Sequence, residues 1–442
     1  MKTLEIFYQE LMKVIKEKGV RVATNDMIKP CVFCAWNGEG SGPDGIRTHL
    51  VHIKHEVNQA IKAKICSDDT KVIVLVFNER FDGLYGQIKY EADVQLGMIS
   101  QVVNIETVKK ATVAGSENRS VYYNLSMKLV AKLGGVNHIV AESMRDLNEK
   151  QPMGHTNNRT LFIGIDAIHP SPNAPVEDVS ISCIVGSIDV HAARYTTQIL
   201  VQPRANETVH CFDGRFTRIL MERYEHMREW PEHVVVLRDG VSDSEMVRTA
   251  FIELTAIKEA WKNITVGLKD IPVPKFTYII VQKRHKTRFF PEDIKKKDHN
   301  VNMGTVMDKG VGTPHMFDFY LVSHFTPLGT TRPIHYTVVY DEAKLSADAV
   351  QEMCYRLCFL YARCSKPVSL PAPVYYAHLA CSRAAEYYKY AEKAFGSFPP
   401  MKKAIKRKKE LDEEYGARLS LMADDIENCL QVHNDFPGMH FV

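Results

Sequence analysis

The chain has 442 residues, too many for a single hydrophobic core and about right for two or three domains. Apolar residues make up 45% and charged residues 25%, as in an ordinary globular protein, and no stretch approaches the roughly 20 apolar residues of a membrane span. The net charge is only +3, which excludes an overall basic nucleic-acid coat. If the protein binds nucleic acid, its positive charge must be gathered into a groove.

The ten cysteines indicate a reducing compartment, because several of them, such as Cys183, lie in apolar runs typical of buried thiols. Cys31 and Cys34 have the spacing of a zinc-ligand pair, but no second pair follows at a suitable distance, so packed thiols are the better interpretation. Acidic residues interrupt the apolar positions of the N-terminal segment, which predicts an amphipathic helix and excludes a signal peptide. We expect a cytoplasmic protein, and the basic run Lys402–Lys409 leaves a nuclear location open.

The first block, residues 1–150, has the pattern of an α/β domain. After an opening helix, the sequence predicts a glycine-rich loop at Asn37–Gly45, a helix at His49–Lys64, a strand at Lys71–Phe77 and helices at Gly86–Ser100 and Asn124–Leu133. The pair Gly134 and Gly135 is a helix stop. The polar stretch Lys150–Arg159 is the best linker candidate, which places the domain boundary near residue 150.

The second block, residues 151–442, opens with three strands and continues with alternating helices and strands. The predicted elements are strands at Leu161–Asp166, Ile181–Asp189 and Arg194–Gln202, a helix at Val209–Arg228, a strand at His233–Asp239, a helix at Ser242–Trp261, a strand at Phe276–Gln282 and helices at Ala347–Cys364 and Ala372–Phe395. The second and third strands are so close in sequence that only a hairpin can join them. This order is that of an RNase H-like fold.

Two aspartates, Asp166 and Asp239, each end a predicted buried strand. A carboxylate at such a position is exposed at the sheet edge yet rigidly held, and hard oxygen ligands suit magnesium. Two metal ions about 3.5–4 Å apart could activate a water and neutralise the leaving oxygen of a phosphodiester. Strand-end aspartates also cap turns and helices, and Asp239 is followed by Gly240 and Ser242. On spacing alone, the metal site and the capping role are equally supported.

Several long motifs carry a resemblance to a known family. The segments LFIGIDAIHP, VVVLRDGVSDSE, VQKRHKTRFF, FDFYLVSH, RPIHYTVVYD and SLPAPVYYAHLACSRA are similar, in order and spacing, to motifs of the PIWI domain of Argonaute proteins. YGQIK, LGMISQ and MKLVAKLGGVN resemble the guide-binding pocket of their MID domain. The resemblance covers nearly the whole chain and implies an α/β protein with a Rossmann-like MID domain at 1–150, truncated at its N-terminus, followed by an RNase H-like PIWI domain at 151–442.

The resemblance implies a catalytic tetrad of Asp166, Glu207, Asp239 and His378, in which Asp166, Asp239 and His378 would hold Mg²⁺ or Mn²⁺. The position of Glu207 rests on gap-free spacing from Asp166, since its flanking motif is the least similar of the four. The implied activity is cleavage of guide-paired target RNA that leaves a 5′-phosphate and a 3′-hydroxyl. Many Argonautes lack one of these groups, whereas this sequence retains all four.

The alternative is a cleavage-inactive module that binds a guide and silences by recruiting partner proteins, for which glycine-tryptophan-repeat scaffold proteins are the implied candidates. The absence of PAZ and N-terminal sequence favours this alternative, or a fragment of a longer protein. In both cases the implied partners are a small guide RNA and a complementary target RNA, with specificity supplied by base pairing.

The guide would be held by two further sets of residues. The resemblance assigns its 5′ end to Tyr85, Lys89, Gln101, Lys128, Lys132 and Arg383, with Tyr85 stacking on the first base and the others binding the phosphate. It assigns the guide backbone to Lys283, Arg284, Arg288, His335, Tyr336, Tyr361, Arg363, Ser369 and Tyr375. Lys128 and Lys132 share a helix face, but on spacing alone they would pass for ordinary surface lysines. The loop Arg80–Asp82 is atypical, which leaves the first-base preference open.

Overall fold

The structure is a computed structural model that describes residues 2–20, 43–62, 73–78, 84–113, 119–140, 159–171, 179–202, 208–209, 213–266, 271, 273–292, 300–395 and 425–442. Several predicted features lie wholly or mostly outside these residues: Cys31, Cys34, the glycine-rich loop Asn37–Gly45, the loop Arg80–Asp82, the linker Lys150–Arg159, Glu207 and the basic run Lys402–Lys409. Within the described ranges, no helix is both long enough and apolar enough to cross a membrane.

The first block contains five helices and two strands within its described residues. They are α1 (Lys2–Glu17), α2 (Pro43–Lys62), β1 (Ile73–Asn78), α3 (Leu84–Lys89), which continues as a π-helical segment (Tyr90–Leu96), β2 (Ile99–Asn104), α4 (Ile105–Ala111) and α5 (Arg119–Lys132). Strands β1 and β2 are parallel, with Ile73 opposite Ile99. The apolar face of α1, including Phe7 and Leu11, packs with Leu125 of α5, because its apolar residues recur at helical spacing.

The helix predicted at Gly86–Ser100 was wrong at its C-terminal end. Gly97 has φ 61°, a left-handed conformation that ends the helix, and Ser100 lies in β2. Strand β2 and the short helix α4 were not predicted. Both are brief, and the pattern of β2 (ISQVVN) is as compatible with a helix end as with a strand.

The second block is built on one eight-stranded sheet. Its elements are β3 (Thr160–Ile168), β4 (Ser180–Ser187), β5 (Tyr195–Gln202), α6 (Asp213–Met227), β6 (His233–Asp239), α7 (Met246–Thr265), β7 (Lys275–Gln282), β8 (Thr305–Met307), β9 (Phe317–Val322), β10 (Ile334–Asp341), α8 (Ala347–Leu357) and α9 (Ala372–Phe395). The strand order is β5-β4-β3-β6-β7-β10-β9-β8. Strands β3, β6 and β7 are parallel and the other pairs antiparallel. The predicted α/β class with an RNase H-like fold is confirmed, with β8, β9 and β10 added to it.

Helices cover both faces of this sheet. One face packs against α6 and α7, and its core includes Ile163, Ile165 and Trp261. The opposite face packs against α8 and α9, and its core includes Phe162 and Ala377. Because Phe162 and Ile163 are neighbours on β3, alternate residues of this central strand fill the two cores.

Helix α9 lies unusually close to β3 at Gly164. A Cβ atom on Gly164 would overlap the backbone carbonyl of Pro373, in the first turn of α9. A residue without a side chain is therefore required here. The close approach sets the height of α9 above the sheet, and with it the position of every side chain that α9 presents at the end of β3.

Replacing Gly164 by alanine tests this contact. We expect Gly164→Ala to lower the free energy of unfolding by roughly 2–3 kcal/mol, because backbone atoms must move to accept the methyl group. The matched control is Gly214→Ala in α6, where an added Cβ meets nothing within 4 Å. This control should be neutral or stabilising by up to about 1 kcal/mol. Equal unfolding midpoints for the two variants in urea would contradict the close approach of α9.

Candidate functional site

Asp166 and Asp239 lie side by side at one edge of the large sheet. Strands β3 and β6 pair in parallel with Ile165 opposite Arg238, so the next residue of each strand is one of the two aspartates. Each carboxylate accepts one backbone hydrogen bond through its Oδ1, from the N–H of Ala167 to Asp166 and of Gly240 to Asp239, both at 2.8 Å. Asp239 therefore caps the turn that ends β6 with one oxygen, whereas Asp166 lies within β3, which continues to Ile168, and the metal-binding interpretation stays a prediction.

The electrostatics of this pair favour a cation. Burial, and then the neighbouring charge of Asp166, raise the pKa of Asp239 to about 6. His378 of α9 lies beside the pair, with its Nδ1 3.0 Å from Oδ2 of Asp166, and this hydrogen bond raises the pKa of the imidazole. A buried carboxylate whose pKa is raised in this way gains from a divalent ion beside it, and the hard oxygens of the pair suit Mg²⁺ or Mn²⁺.

The side chains of this site therefore have the chemistry to bind a divalent metal ion, although they are not arranged around a common point. Among the residues that the structure describes, no three His, Cys, Asp or Glu side chains are arranged to hold a metal ion. The imidazole of His378 is hydrogen-bonded to Asp166 but half exposed, so it has room to rotate towards a metal ion. Glu207, the fourth member of the predicted tetrad, lies outside the described residues.

A second site is a cavity of 560 Å³ between the first block and α9. All six residues predicted to hold the guide 5′ end line it: Tyr85, Lys89, Gln101, Lys128, Lys132 and Arg383. Arg363, predicted to contact the guide backbone, lines it as well, together with Glu386 and Val442. Five cationic side chains therefore converge on one small volume. They are Lys89, Lys128 and Lys132 of the first block and Arg363 and Arg383 of the second.

Two of the lysines that line this cavity are held in place by neutral partners. Lys89 Nζ donates to Ser100 Oγ at 2.8 Å, and Lys132 Nζ donates to the side-chain oxygen of Gln101 at 2.7 Å. Burial lowers the pKa of Lys89 to about 7 and that of Lys128 to about 8, and it lowers the pKa of Lys132 well below its usual range. Desolvated ammonium groups of this kind bind a multivalent anion strongly, because the anion restores the charge balance that burial disturbs.

Asp93 is a residue of this site that the sequence did not reveal. Its carboxylate accepts hydrogen bonds from Arg383 at 2.8 Å and from the Tyr387 hydroxyl at 2.7 Å, and all three side chains are buried. The bond fixes the guanidinium of Arg383, which also donates to the carbonyl of His440. The available signal was weak: Asp93 follows Lys89 by four residues and shares its helix face.

The residues predicted to contact the guide backbone are spread along the sheet end and the loops beside it. Arg284 is exposed, and Lys283 Nζ lies 3.4 Å from Ser369 Oγ. Arg288 donates hydrogen bonds to the backbone carbonyls of His285 and Thr287. His335 lies 2.7 Å from a carboxylate oxygen of Asp318, and the rings of Tyr361 and Tyr375 are 4.7 Å apart. Of this set, only Arg363 lines the cavity.

Tyr336 does not fit this set, and its predicted contact with a guide is a correction. Its side chain is fully buried in the core and its ring stacks on Phe319 at 4.9 Å. Successive residues of a strand face opposite sides, so His335 points towards the polar edge network while Tyr336 points into the sheet core. A motif match assigns a role by position in the sequence alone. Here the neighbouring residue, His335, faces away from the core, whereas Tyr336 does not.

The raised pKa of Asp239 gives a pH-dependent prediction. A carboxyl whose folded-state pKa is raised stabilises the fold below its usual pKa near 4, and that contribution is lost as the pH rises through about 6. With a chelator present, Asp239→Asn should therefore gain stability relative to the unmodified chain between pH 4 and 6, by roughly 2 kcal/mol, and hold that gain at higher pH. Urea unfolding across this range measures it.

The control for this prediction is Asp243→Asn, an exposed aspartate that also follows β6. Its effect on stability should not change with pH over the same range. A constant difference between the Asp239→Asn variant and the unmodified chain from pH 4 to 8 would show that Asp239 ionises normally.

Comparison with known proteins agrees with this architecture. A Piwi domain profile matches residues 72–389. The C-terminal lobe of a budding yeast Argonaute superposes with a TM-score of 0.75 at 25% identity, covering 100% of this chain and 81% of that one. Kluyveromyces polysporus Argonaute with a guide RNA gives 0.74 at 25% identity, covering 100% of this chain and 46% of that one. Drosophila Piwi gives 0.66 at 21% identity, covering 86% of this chain and 46% of that one.

This chain thus spans less than half of the Kluyveromyces polysporus Argonaute that it resembles. The profile match nevertheless extends over well more than half of the chain, from β1 to within α9. The resemblance to Argonaute proteins is confirmed, and the chain belongs to the Piwi domain family.

Proposed function

We propose that this chain is the part of an Argonaute-type protein that holds the 5′ end of a small guide RNA and cleaves the paired target RNA. Residues 1–150 would form its MID domain and residues 151–442 its PIWI domain. The observation that carries the proposal is the convergence of Lys89, Lys128, Lys132 and Arg383 on one cavity. Its structural neighbour from Kluyveromyces polysporus was solved with a guide RNA, which supports the same ligand here.

The chemistry of the cavity suits a 5′-terminal phosphate. Such a group is close to dianionic at neutral pH, and it is bound best by several convergent ammonium and guanidinium donors. Tyr85 lies at the same cavity, with the Arg383 guanidinium 5.6 Å from the centre of its ring. The opposite face of the Tyr85 ring would then take the first base of the guide by stacking.

Cleavage would take place at the paired aspartates. Asp166 and Asp239 would bind the metal ions and His378 would complete their ligands, with Glu207 as the fourth group of the site. When bound, Mg²⁺ or Mn²⁺ supplies activation of water and neutralisation of the leaving oxygen. His378 would exchange its hydrogen bond with Asp166 for a contact at the metal or with a water, because its ring is half exposed.

Two expectations stay predictions, one from the resemblance and one from the cysteine content. Recruitment of glycine-tryptophan-repeat scaffold proteins would need a surface for tryptophan side chains, and a cytoplasmic location would suit the reduced cysteines. The six cysteines among the described residues are all free thiols.

The guide pocket is tested by guide affinity. A 5′-phosphorylated guide should bind at least about tenfold more tightly than the same RNA with a 5′-hydroxyl, and Lys132→Ala should remove most of that difference, because a charge-assisted hydrogen bond contributes roughly 1.5–3 kcal/mol. The control is Lys110→Ala, which changes an exposed lysine on α4. Filter binding at fixed salt measures the affinity of each of the three proteins for both guides. Equal affinity for the two guides would refute the pocket assignment.

The carboxylate pair is tested by target cleavage. With a loaded guide and a fully paired target, Asp166→Ala and Asp239→Ala should abolish cleavage and leave guide affinity unchanged, because the guide pocket is built from other residues. Asp243→Ala should cut normally. Cleavage should require Mg²⁺ or Mn²⁺ and stop with a chelator. If neither this chain nor a longer form that includes it cuts, the protein is a guide-binding module and not a nuclease.

A further inference from the structure

Glu253 of α7 is a fully buried carboxylate for which the proposed cleavage mechanism has no use. Its Oε1 lies 3.3 Å from Nε of Arg238 and accepts a hydrogen bond from the backbone N–H of Val209 at 3.1 Å. Its Oε2 accepts a hydrogen bond from the Tyr278 hydroxyl at 2.5 Å. Both oxygens are therefore occupied, and the carboxylate joins α7 to β6, β7 and the segment before α6.

Arg238, the main partner of Glu253, is the residue immediately before Asp239. Its guanidinium donates to the backbone carbonyl of Asp239, at the turn that ends β6. Gly240 completes this turn with φ 84°, and its N–H holds Oδ1 of Asp239. The orientation of the Asp239 carboxylate thus depends on the turn, and the turn is held by Arg238.

The position of Arg238 also creates an electrostatic hazard. Its charge lies close enough to Asp166 to interact with it, because a Cβ atom on Gly240 would lie 3.8 Å from Oδ1 of Asp166 and 3.9 Å from Nη1 of Arg238. Without its ion pair to Glu253, this guanidinium would turn towards the carboxylates and compete with a metal ion for their oxygens. Glu253 removes the hazard, because it pairs with Arg238 on the core side of the turn.

The packing of apolar side chains around α7 does not by itself require an ion pair in this place. Apolar side chains fill the neighbouring positions of α7, such as Leu254 and Ile257, and a buried ion pair is seldom more stabilising than apolar residues of the same size. The charges of Arg238 and Glu253 are therefore better explained by what they do to the adjacent carboxylates than by the packing of α7.

We propose that Glu253 is a positioning residue of the carboxylate pair: it holds Arg238 in the core, so that Arg238 fixes the turn at Asp239 without pairing with the oxygens that bind the metal. This inference rests on the proposed metal-dependent cleavage. It predicts that loss of the Glu253 charge weakens metal binding while the guide pocket, which is built from other residues, is unaffected.

The test compares Glu253→Gln with Glu259→Gln, the same substitution at an exposed position of α7. Binding of Mn²⁺ to the full guide-loaded chain is measured by electron paramagnetic resonance, and target cleavage is followed against Mg²⁺ concentration. Glu253→Gln should weaken Mn²⁺ binding on the order of tenfold, and its cleavage should recover at high Mg²⁺. Glu259→Gln should match the unmodified chain, and affinity for a 5′-phosphorylated guide should be equal in all three.

The outcomes separate this inference from the proposed function. If the unmodified chain binds Mn²⁺ and cuts, and Glu253→Gln does so equally well, the inference is overturned and the function stands. If the unmodified chain neither binds Mn²⁺ nor cuts, both fall. If Glu253→Gln does not fold, Tyr278→Phe is measured instead, because it removes only one hydrogen bond to Glu253. Mn²⁺ binding that is about two- to threefold weaker in this variant supports the inference, and unchanged binding overturns it.

Discussion

The parallel pairing of β3 with β6 is the constraint on which the rest of the molecule depends. It brings the C-terminal parts of two strands to the same end of the sheet, so that Asp166 and Asp239 meet although they are 73 positions apart in the sequence. Both strands are buried on both faces, which leaves their ends little freedom to move. The burial of Asp239 and its closeness to Asp166, which together raise its pKa, follow from this register and not from any local motif.

Helix α9 connects the two candidate sites, because it contributes a residue to each of them. It rests on β3 through the close contact at Gly164, and it presents His378 to the carboxylate pair and Arg383 to the cationic cavity. These residues are five apart on a continuous helix, so they are separated by about 7.5 Å along its axis and point in different directions. The buried bond between Arg383 and Asp93 then ties the first block to this helix.

The sequence predicted the parts of the fold that have strong periodicity. The strand His233–Asp239 and the helix Ala372–Phe395 have the predicted bounds, because a continuous apolar run and a long helical pattern are hard to misread. Strands β8 to β10 were missed, since polar loops divide them. The long-range pairs were also out of reach: neither Glu253 with Arg238 nor Asp93 with Arg383 has a local signal, because each joins residues that only the folded chain brings together.

The lowered pKa values in the cationic cavity have a thermodynamic consequence. With the pKa of Lys89 at about 7, the empty cavity holds fewer protons near neutral pH than four ordinary basic side chains would. A bound dianion favours the protonated amines, so its capture takes protons up from the solvent. Occupancy is therefore linked to pH: affinity falls as the pH rises from 7 to 8, and the heat of binding depends on the ionisation enthalpy of the buffer.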